Sequence, residues 1–529
     1  MSPGALNPSD WPPAPADDGG VVVVPSAEQL AALVEANCAA RRSAELRLAG
    51  DFQISAPSGA PVIMTGHQPE FFHAGVWAKE IVATRLAAAI GGRAEFLCVD
   101  SDLADGVRLR WPEQAGGDLR VASAALPAEV QAGRGVPFEN LADCATERWR
   151  AWWGAVAGAG GRGTPLEQFV SAFVAEDGDY TSRFLSGVAA ATRGAGETPA
   201  VSRRVSELSR SAAGAAWSAF CRHCLLNGGA LFEAYNGALA AHRARRRIRG
   251  RQHPVPDLRA DAAGVESPFW VYQPGGPRER LSVRPGAGAV ELWAAGERIG
   301  ALPDRALSAD GFDLAAALEP WRLRPRALLL TTFARLALCD LFIHGLGGAI
   351  YDAITDDLIR RFFRIEPPAY ACVTATLRLE LPRRPGSAAD LRVARREIRD
   401  RVFNPQRWLG PAIEGAAARA ALRARTVAIE ASERLRAEAR NSRAARRSAW
   451  GEIGAANRAL AELLPDGGAL QQRVAVMQHD LQQNSIANDR EWFFGLHSSD
   501  KLARLCERLP RSSDFMPRSM VNPAQRAGR

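Results

Sequence analysis

The fold class is decided by the stretch PVIMTGHQPEFFHAGVWAKEIVATRLAAAIGGRAEFLCVDSD, residues 61–102. An apolar run over 61–66 ends in Gly, a helical pattern over 73–92 ends in a Gly pair, and a second apolar run over 95–102 ends in acids. Short apolar runs bounded by turn residues predict buried strands, and strands that alternate with helices predict βαβ units. We therefore expect a parallel sheet with helices packed on its faces.

The same kinds of pattern divide the rest of the chain. Residues 265–302 have the pattern of short strands separated by Gly and Pro, whereas 326–363 return to an apolar run, a Gly-rich turn and a helix. Beyond residue 386 the composition shifts to Ala, Arg and Glu with interspersed opposite charges. We therefore expect two long helices, 387–403 and roughly 414–464, paired as an antiparallel coiled-coil arm. The predicted segments, in chain order, are a disordered tail (1–20), the first part of an α/β core (21–140), a helical and small β insertion (141–305), the second part of the core (306–384), a helical coiled-coil region (385–510) and a flexible tail (511–529).

Composition limits the class of protein. At 529 residues and 47% hydrophobic, the chain can bury a large core, and its net charge of +8 is mild for a nucleic-acid binder of this size. No window approaches the run of about 20 apolar residues that a membrane span needs. The first twenty residues lack the basic and apolar regions of a signal peptide. We therefore expect a cytoplasmic protein without a membrane partner or a nucleic-acid partner.

Two further segments have a simple interpretation beside a functional one. Cys221 and Cys224 have CxxC spacing inside a helical pattern, and no second pair follows at zinc-site distance. We expect a buried helix face there and no metal site. The basic run HRARRRIRGRQH, residues 242–253, fits a helix end whose arginines face the negative pole of the helix dipole. A phosphate-binding edge is the alternative for this run.

The first polar motif follows the strand over 61–66. Thr65 and Gly66 end this strand, and Gly permits the sharp turn that brings in His67 and Gln68. His73 lies close to the start of the next helix, whose N-terminal N–H groups favour phosphate or carboxylate. A neutral imidazole at this place can donate a hydrogen bond to a phosphate oxygen. Alternatively, both histidines are ordinary residues of a turn and a helix start.

Lysine usage singles out one more residue of this segment. The chain contains two lysines, Lys79 and Lys501, among 66 basic residues. The presence of Lys79 in a chain that otherwise uses arginine indicates that a compact ammonium group matters at this position. An ordinary surface lysine is the alternative.

Acidic side chains follow the second predicted strand, in DSDLAD. Asp100, Asp102 and Asp105 lie within six residues, and alternate residues at a strand end point to the same side. Such acids could hold Mg²⁺, orient an amine or act as a general base, whereas the structural alternative is a turn that caps a helix. Because the carboxyl ends of parallel strands meet at one edge, this motif and the first should face the same crevice.

A Gly-rich segment, HGLGGAIYD at residues 344–352, supplies the third motif. Its three glycines would make backbone N–H groups available for an oxyanion or a phosphate, between a strand and a helix that begins near Ala349. Such a helix would have a Tyr and an Asp in its first turn, and a tight turn packed on the sheet is the alternative. The candidate ligand-binding residues of this segment are His344, Gly345, Gly347, Gly348, Tyr351 and Asp352.

Taken together, the three motifs resemble those of the bacillithiol biosynthesis cysteine-adding enzyme family. The family's first motif is TGQQ followed by an aromatic residue, a Gly and a helix with Lys. Here it is matched by Thr65, Gly66, His67, Gln68, Phe72, Gly75, Trp77 and Lys79. The family's acid-rich second block is matched by DSDLA, with Asp102 in register. Its third block, a Gly-Gly-x-Gly-Glu segment that leads into Tyr, is matched by Gly345, Gly347, Gly348 and Tyr351.

The resemblance implies a Rossmann-like core with helical and small β insertions, related to that of class I aminoacyl-tRNA synthetases and nucleotidyltransferases, and a C-terminal coiled coil. It implies a ligase that joins a cysteine carboxylate to a small-molecule amine such as an amino sugar. Beside the resemblance, we expect the carboxylate to be activated by a nucleotide or another phosphate-bearing donor, and ATP or ADP with Mg²⁺ is the candidate. The chain departs from the family by TGHQ in place of TGQQ, by Leu103 in place of a His, and by the missing Glu of the third block. Since these positions lie near the implied substrate, we expect an acceptor other than the family's glucosaminyl malate.

The leading hypothesis is an enzyme that forms an amide bond or transfers an acyl group. His67 and His73 would stabilise developing negative charge, together with a helix N-terminus and the backbone of 345–348. Asp100 or Asp102 would position or deprotonate the amine. The further candidates for charge neutralisation are Lys79, Arg335 and Tyr351.

Two alternatives come from other classes of protein. The core could be a degenerate nucleotide-binding scaffold whose coiled-coil arm binds a partner or forms a homodimer. The chain could also be a synthetase-like enzyme that acts on tRNA through the basic run 242–253.

Overall fold

The computed structural model describes residues 11–43, 47–48, 52–53, 59–131, 135–156, 164–304, 314–437, 443–464 and 467–515. The described residues form two compact units, the first drawn from 1–113, 121–379 and 490–529 and the second from 114–120 and 380–489. The parts of the predicted tails at 1–10 and 516–529 lie outside the described residues, as does most of the Gly-rich break at 158–164. No described helix is both long enough and apolar enough to span a bilayer.

The first unit contains strands and helices, and the second is mainly helical. The strands are β1 (Val21–Val24), β2 (Arg47–Leu48), β3 (Phe52–Gln53), β4 (Val62–His67), β5 (Arg93–Cys98), β6 (Arg108–Ala115), β7 (Asp118–Ala125), β8 (Val201–Arg204), β9 (Val265–Tyr272), β10 (Glu279–Gly286), β11 (Ala289–Ala294), β12 (Glu297–Pro303), β13 (Arg322–Pro325), β14 (Leu341–His344) and β15 (Tyr370–Ala375). The helices are α1 (Ala27–Ser43), α2 (Ala74–Ala89), α3 (Thr146–Val156), α4 (Pro165–Ala175), α5 (Tyr180–Gly194), α6 (Gly214–Leu226), α7 (Gly228–Arg246), α8 (Leu314–Leu318), α9 (Ala327–Phe333), α10 (Leu346–Leu358), α11 (Ala388–Phe403), α12 (Ala416–Ala437), α13 (Arg443–Ala461), α14 (Gly467–Ala487) and α15 (Ser499–Arg508).

The central sheet of the first unit has the strand order β1-β15-β14-β4-β5-β8. The last five of these strands are parallel to one another, and β1 is antiparallel to β15 at one edge. Numbered along the chain from β4, the parallel strands lie in the order 3-2-1-4-5 from β8 to β15, so the order reverses between β4 and β14. The prediction of a mixed α/β fold with a parallel sheet is confirmed.

The predicted βαβ unit consists of β4, α2 and β5. β4 and β5 are buried over most of their length, as continuous apolar runs predict for strands of a covered parallel sheet. They approach closely at Gly66, where an added Cβ atom would lie 2.5 Å from the carbonyl oxygen of Leu97. α2 is buried on most of its surface, which is typical of a helix in the centre of a large unit.

The two faces of this sheet are covered by different parts of the chain. Val62, Met64 and Leu97 belong to an apolar cluster that includes residues of α6, α7, α9 and α10. The same cluster contains residues of a second, antiparallel sheet with the order β12-β11-β10-β9-β13. This second sheet includes the stretch predicted as a small β insertion, 265–302. α2 packs on the central sheet against β4, β5 and β15.

An aromatic cluster supports the turn between β4 and α2. Phe71 lies 5.4 Å from Phe493 and 5.7 Å from Phe184, ring centre to ring centre. Phe494 stacks on both Phe72 and Trp77, at 5.6 and 5.3 Å. Residues beyond 490 therefore complete the core of the first unit, although the sequence placed them in the helical region that was predicted to end at 510.

The second unit consists mainly of α11, α12, α13 and α14. Leu391 and Ala394 of α11 pack with Leu470 and Val474 of α14 in one small apolar cluster. The stretch predicted as one helix over about 414–464 forms two helices, α12 and α13, which pack against each other.

Residues just before β1 are bonded to the first unit and do not form a free tail. The N–H of Gly19 donates to the carbonyl oxygen of Thr376 at 2.8 Å, and the N–H of Thr376 donates to that of Gly20 at 3.0 Å. Asp18 pairs with Lys501 Nζ at 2.9 Å. The predicted disordered tail over 1–20 is therefore corrected for these residues.

Candidate functional site

The first and third motifs meet where the strand order of the central sheet reverses. β4 ends at His67 and β14 ends at His344, and the two strands are parallel neighbours. The chain turns into α2 after β4 and into α10 after β14, so both helices begin at the same edge of the sheet. The crevice beyond the carboxyl ends of the strands, at such a reversal, is where open α/β sheets bind ligands.

Lys79 of α2 joins the two motifs. Its Nζ donates a hydrogen bond to the carbonyl oxygen of Gly66 at 2.9 Å. Its Cδ lies 3.7 Å from the position that a Cβ atom on Gly345 would occupy, so the side chain passes beside the residue that precedes α10. Lys79 is 4% exposed, and burial lowers the pKa of its ammonium to about 8. The ammonium of Lys79 has three N–H groups, and in the described part of the chain its one hydrogen-bond acceptor is the carbonyl oxygen of Gly66. Lys79 therefore retains capacity to bind an anion.

The N-terminus of α10 lies three residues earlier than the sequence predicted. Gly345 is the N-cap residue, and the first bond of the helix runs from the N–H of Ala349 to the carbonyl oxygen of Gly345, at 2.9 Å. The N–H groups of 346–348 therefore have no partner within the helix, as at any helix start. A Cβ atom on Gly347 would meet open space, so this helix start is accessible. Tyr351 lies beyond the first turn and is 45% exposed.

His73 is the N-cap residue of α2. Its Nδ1 accepts a hydrogen bond from the N–H of Gly75 at 3.0 Å. A ring that accepts at Nδ1 is neutral and has its proton on Nε2, which lies 3.3 Å from Oε2 of Glu491. Burial, together with the charge of Arg490, lowers the pKa of His73 to about 3. His73 therefore begins the helix, and its one N–H donor faces the exposed carboxylate of Glu491.

His67 is neutral as well, with the opposite tautomer. Its Nδ1 lies 3.1 Å from the carbonyl oxygen of Gln68, and because a carbonyl only accepts, Nδ1 has the ring proton. Burial, together with the ammonium of Lys79, lowers the pKa of His67 to about 4. Its Nε2 therefore has a lone pair and can accept a proton. This geometry suits a general base, whereas the sequence suggested a donor to a developing oxyanion.

Gln68 connects the first motif to the second. Its Nε2 donates to Oδ2 of Asp102 at 2.7 Å, while Nη1 of Arg278 and the N–H of Leu103 donate to Oδ1 at 2.9 and 2.8 Å. Three donors thus orient the Asp102 carboxylate, and 35% of its side chain stays exposed. Asp102 is therefore both oriented and accessible, as a residue that positions a substrate must be.

The contacts of Asp100 are structural, in contrast to the prediction that it positions or deprotonates the amine. It is fully buried, Oδ1 accepts from the N–H of Ser206 at 2.9 Å, and Oδ2 accepts from the Ser206 hydroxyl at 2.5 Å. Nε of Arg204 also donates to Oδ2, at 2.7 Å. Asp100 and Asp102 have different partners because β5 ends at Cys98 and a turn follows, so the alternation of a strand does not apply.

Asp105 and Thr65 also hold local structure. Asp105 is exposed and accepts from the N–H of Gly135 at 3.2 Å, which joins the loop before β6 to the loop after β7. The hydroxyl of Thr65 donates to the carbonyl oxygen of Ile343 at 2.8 Å and ties β4 to β14.

Trp77 is a core residue and not a ligand-binding one. It is fully buried, its Nε1 donates to the hydroxyl of Thr192 at 3.0 Å, and its ring stacks on Phe494. The aromatic residue of the first motif therefore stabilises α2 through packing.

Four residues in and near the third motif form a largely buried network. Arg335 is 2% exposed, and its guanidinium donates to Asp352 at 2.5 Å and to Asp356 at 2.6 Å. His344 Nε2 lies 3.1 Å from the same oxygen of Asp352. Although burial opposes ionisation, Arg335 holds the pKa of Asp352 to about 2. Arg335 and Asp352 are therefore bound to each other inside the first unit, in contrast to the prediction that they contact the ligand.

Two residues of the site were missed by the sequence analysis. Arg278 lies on a loop far along the chain from Asp102, and nothing in GPRERL signals that contact. Glu80 is 3% exposed, accepts from the N–H of Ala200 at 2.9 Å, and has a pKa that burial raises to about 7. A Lys-Glu pair in the middle of a helix that is mostly apolar is a signal that could have found it.

The CxxC pair and the basic run 242–253 both make structural contacts within the first unit. Cys221 and Cys224 are buried on α6. Arg243, in the basic run, donates to the carbonyl oxygens of Arg251 and Val255, both at 2.7 Å, and so closes its own loop. In the described part of the chain, no three His, Cys, Asp or Glu side chains are grouped as a metal site would require.

Comparison with protein-family models gives no match, and no curated protein is significantly similar to the chain.

Proposed function

We propose that the protein is an enzyme that forms an amide bond with a small-molecule amine, or otherwise transfers an acyl group to it. The reaction would take place at the carboxyl ends of the neighbouring strands β4 and β14, here called the β4–β14 edge. The observation that carries this proposal is Lys79, a buried ammonium with unused hydrogen-bonding capacity beside the start of α10. Two neutral imidazoles, His67 and His73, share its electrostatic surroundings. Lys79 and the two histidines together can bind an anion and accept a proton at the same place.

The order of the parallel strands supports a Rossmann-like interpretation of the core. A 3-2-1-4-5 order with its reversal between the first and fourth strands is that of sheets that bind nucleotides at the reversal. ATP or ADP is the candidate nucleotide. Lys79 and the N–H groups of 346–348 would hold its phosphate oxygens, because both favour negative charge. The bound nucleotide would supply the energy that activates the carboxylate, and Mg²⁺ would accompany its phosphates.

The remaining residues of the site suit the amine side of the reaction. Asp102, oriented by Gln68 and Arg278, would hold the amine through its exposed oxygen surface. Nε2 of His67 would take a proton from the amine nitrogen as that nitrogen attacks the carboxyl carbon. His73 would donate through Nε2–H to negative charge that develops on the carbonyl oxygen, after the exposed carboxylate of Glu491 that faces this N–H has turned away.

The proposal is tested by direct assay of the full-length protein. Cysteine, ATP and Mg²⁺ are incubated with one amine at a time, beginning with glucosamine, and mass spectrometry searches for a product equal to the two substrates less one water. We expect such a product to depend on ATP and to disappear in Lys79→Met. Lys501→Met, which removes the other buried lysine, is the matched control and should retain activity. Absence of both product and nucleotide binding would contradict the proposal.

A scaffold function is the second candidate, because Asp100, Trp77 and Arg335 are all engaged in structural contacts. In this case the helices of the second unit would form a coiled-coil arm that binds a partner or a second copy of the chain. Sedimentation of the full-length protein, with and without nucleotide, tests for the homodimer. Turnover in the assay above would rule this candidate out.

A further inference from the structure

A cavity of about 670 Å³ lies in the first unit, apart from the residues to which the function above is assigned. Its walls come from the segment after β8, from the start of α6, and from α8 with the strand β13 that follows it. Neither Lys79 nor the histidines of the β4–β14 edge line it. Its volume is within the range of ligand sites for small molecules.

The buried charges of this cavity neutralise one another. Arg204 donates to Asp179 through Nη2 and Nη1 at 2.7 and 3.1 Å, and to Asp100 through Nε. Arg324 donates to both oxygens of Glu139, at 2.7 and 2.8 Å. Because these guanidinium groups are already paired, they contribute polar walls and little net attraction for a phosphate-like anion.

Three charges on the lining have no ion-pair partner in the described part of the chain: Glu207, Arg210 and Glu319. Arg210 and Glu319 are both exposed and both line the cavity, and neither forms an ion pair with another residue in the described part of the chain. Arg210 precedes α6, whose N-cap residue Ala213 provides no side-chain cap. The positive end of α6 therefore adds to the attraction of Arg210 for a carboxylate.

Apolar surface accompanies these charges. Trp217 and Trp321 line the cavity together with Leu314 and Leu318. Trp217, Leu314 and Leu318 are buried, so a ligand that satisfied Arg210 and Glu319 would place its apolar body mainly against the partly exposed ring of Trp321.

We propose that this cavity binds a zwitterionic small molecule, whose carboxylate contacts Arg210 and the start of α6, whose ammonium contacts Glu319, and whose apolar body packs on Trp321. The cavity is larger than a single small amino acid needs, so a ligand of dipeptide size is expected. The site is independent of the function proposed above, because none of its binding residues belongs to the β4–β14 edge.

The test uses the dipeptide L-alanyl-L-phenylalanine and its two blocked forms, the N-acetyl dipeptide and the dipeptide amide. Isothermal titration calorimetry with the full-length protein should show the zwitterion to bind at least tenfold more tightly than either blocked form. Arg210→Gln should reduce the affinity for the zwitterion to that for the amide, and Glu319→Gln should reduce it to that for the N-acetyl form. Arg193→Gln and Glu233→Gln, exposed residues outside the cavity, are the matched controls.

Three outcomes would overturn the proposal: no saturable binding of the dipeptide, equal binding of the blocked forms, or unchanged binding in both cavity variants. Because Arg210 and Glu319 are exposed and make no ion pair in the described structure, their substitution should leave folding intact, which thermal unfolding checks. Lys79→Met should bind the dipeptide as the wild type does. Loss of turnover with retained dipeptide binding therefore separates this site from the one at the β4–β14 edge.

Discussion

At the scale of single residues, Lys79 makes ligand binding depend on pH. Burial lowers its pKa from 10.5 to about 8, so the ammonium loses its proton well below the range of a free lysine. We expect the affinity for ADP to fall roughly tenfold between pH 7 and pH 9, as the charge that attracts the phosphates disappears. Titration calorimetry of the full-length protein at the two pH values measures this change.

Lys79→Met provides the comparison for this pH effect. The variant should bind ADP weakly at pH 7 and with little further change up to pH 9, whereas Lys501→Met should retain the dependence of the wild type. An ADP affinity that is constant with pH in the wild type would place the phosphates away from Lys79.

The two histidines of the first motif should respond differently to substitution. His67→Ala removes the lone pair of Nε2 but no cap, so we expect turnover to fall by about 10²- to 10⁴-fold with little change in stability. His73→Ala removes the acceptor for the N–H of Gly75, and should lower the free energy of unfolding by about 1 kcal/mol. Urea unfolding and turnover are measured on both variants. His73→Asn, which restores a capping oxygen, should recover the stability, and an equally destabilised His67→Ala would argue for a structural role.

At the scale of elements, α2 can approach the sheet because Gly75 has no side chain. A Cβ atom there would lie 2.6 Å from the carbonyl oxygen of Ala375, a backbone atom that cannot move aside cheaply. We expect Gly75→Ala to reduce the free energy of unfolding by about 1–3 kcal/mol, as overpacking does. Gly154→Ala in α3 is the control, since a Cβ atom there meets open space and should stabilise the helix slightly. Chemical denaturation of both variants measures the difference.

α2 also buries Glu80, which makes its stability depend on pH. The pKa of Glu80 in the folded protein, about 7, is above its ordinary value of 4.5, so between these values the folded state binds more protons than the unfolded state. Rising pH therefore reduces the free energy of unfolding in this window. We expect the free energy of unfolding of Glu80→Gln, measured relative to that of the wild type, to rise by on the order of 3 kcal/mol between pH 4.5 and pH 8. Urea unfolding at both pH values tests this, and a constant difference would mean that Glu80 stays ionised.

Elements were predictable from the sequence where their pattern is local. β4, α2 and β5 lie within a few residues of their predicted bounds because apolar runs and helical periodicity are properties of short stretches. Asp100 was misassigned because its partners, Arg204 and Ser206, come more than 100 residues later. The sequence also did not indicate that the stretch 414–464 divides into α12 and α13, because the residues between them, 438–442, contain no Gly or Pro.

At the scale of the whole molecule, the two units have separate apolar cores. Phe494 lies in the first unit between Phe72 and Trp77, whereas Leu470 belongs to the cluster of α11 and α14. We expect scanning calorimetry to resolve two transitions. Phe494→Ala should lower the midpoint of the first unit's transition, because it removes about 3–5 kcal/mol from the free energy of unfolding of that unit. Leu470→Ala should lower the midpoint of the second unit's transition. A single transition that both variants shift equally would show that the units unfold together.

The aromatic residues after 490 have a consequence for the synthesis of this protein. The ribosome makes Phe72 and Trp77 early, but it reaches Phe493 and Phe494 only after the whole stretch 380–489 has been translated. At about 5–20 residues per second, that stretch alone takes on the order of ten seconds. During this interval the nascent chain displays an uncovered aromatic face, so chaperones that hold such surfaces should associate with it until translation is nearly complete.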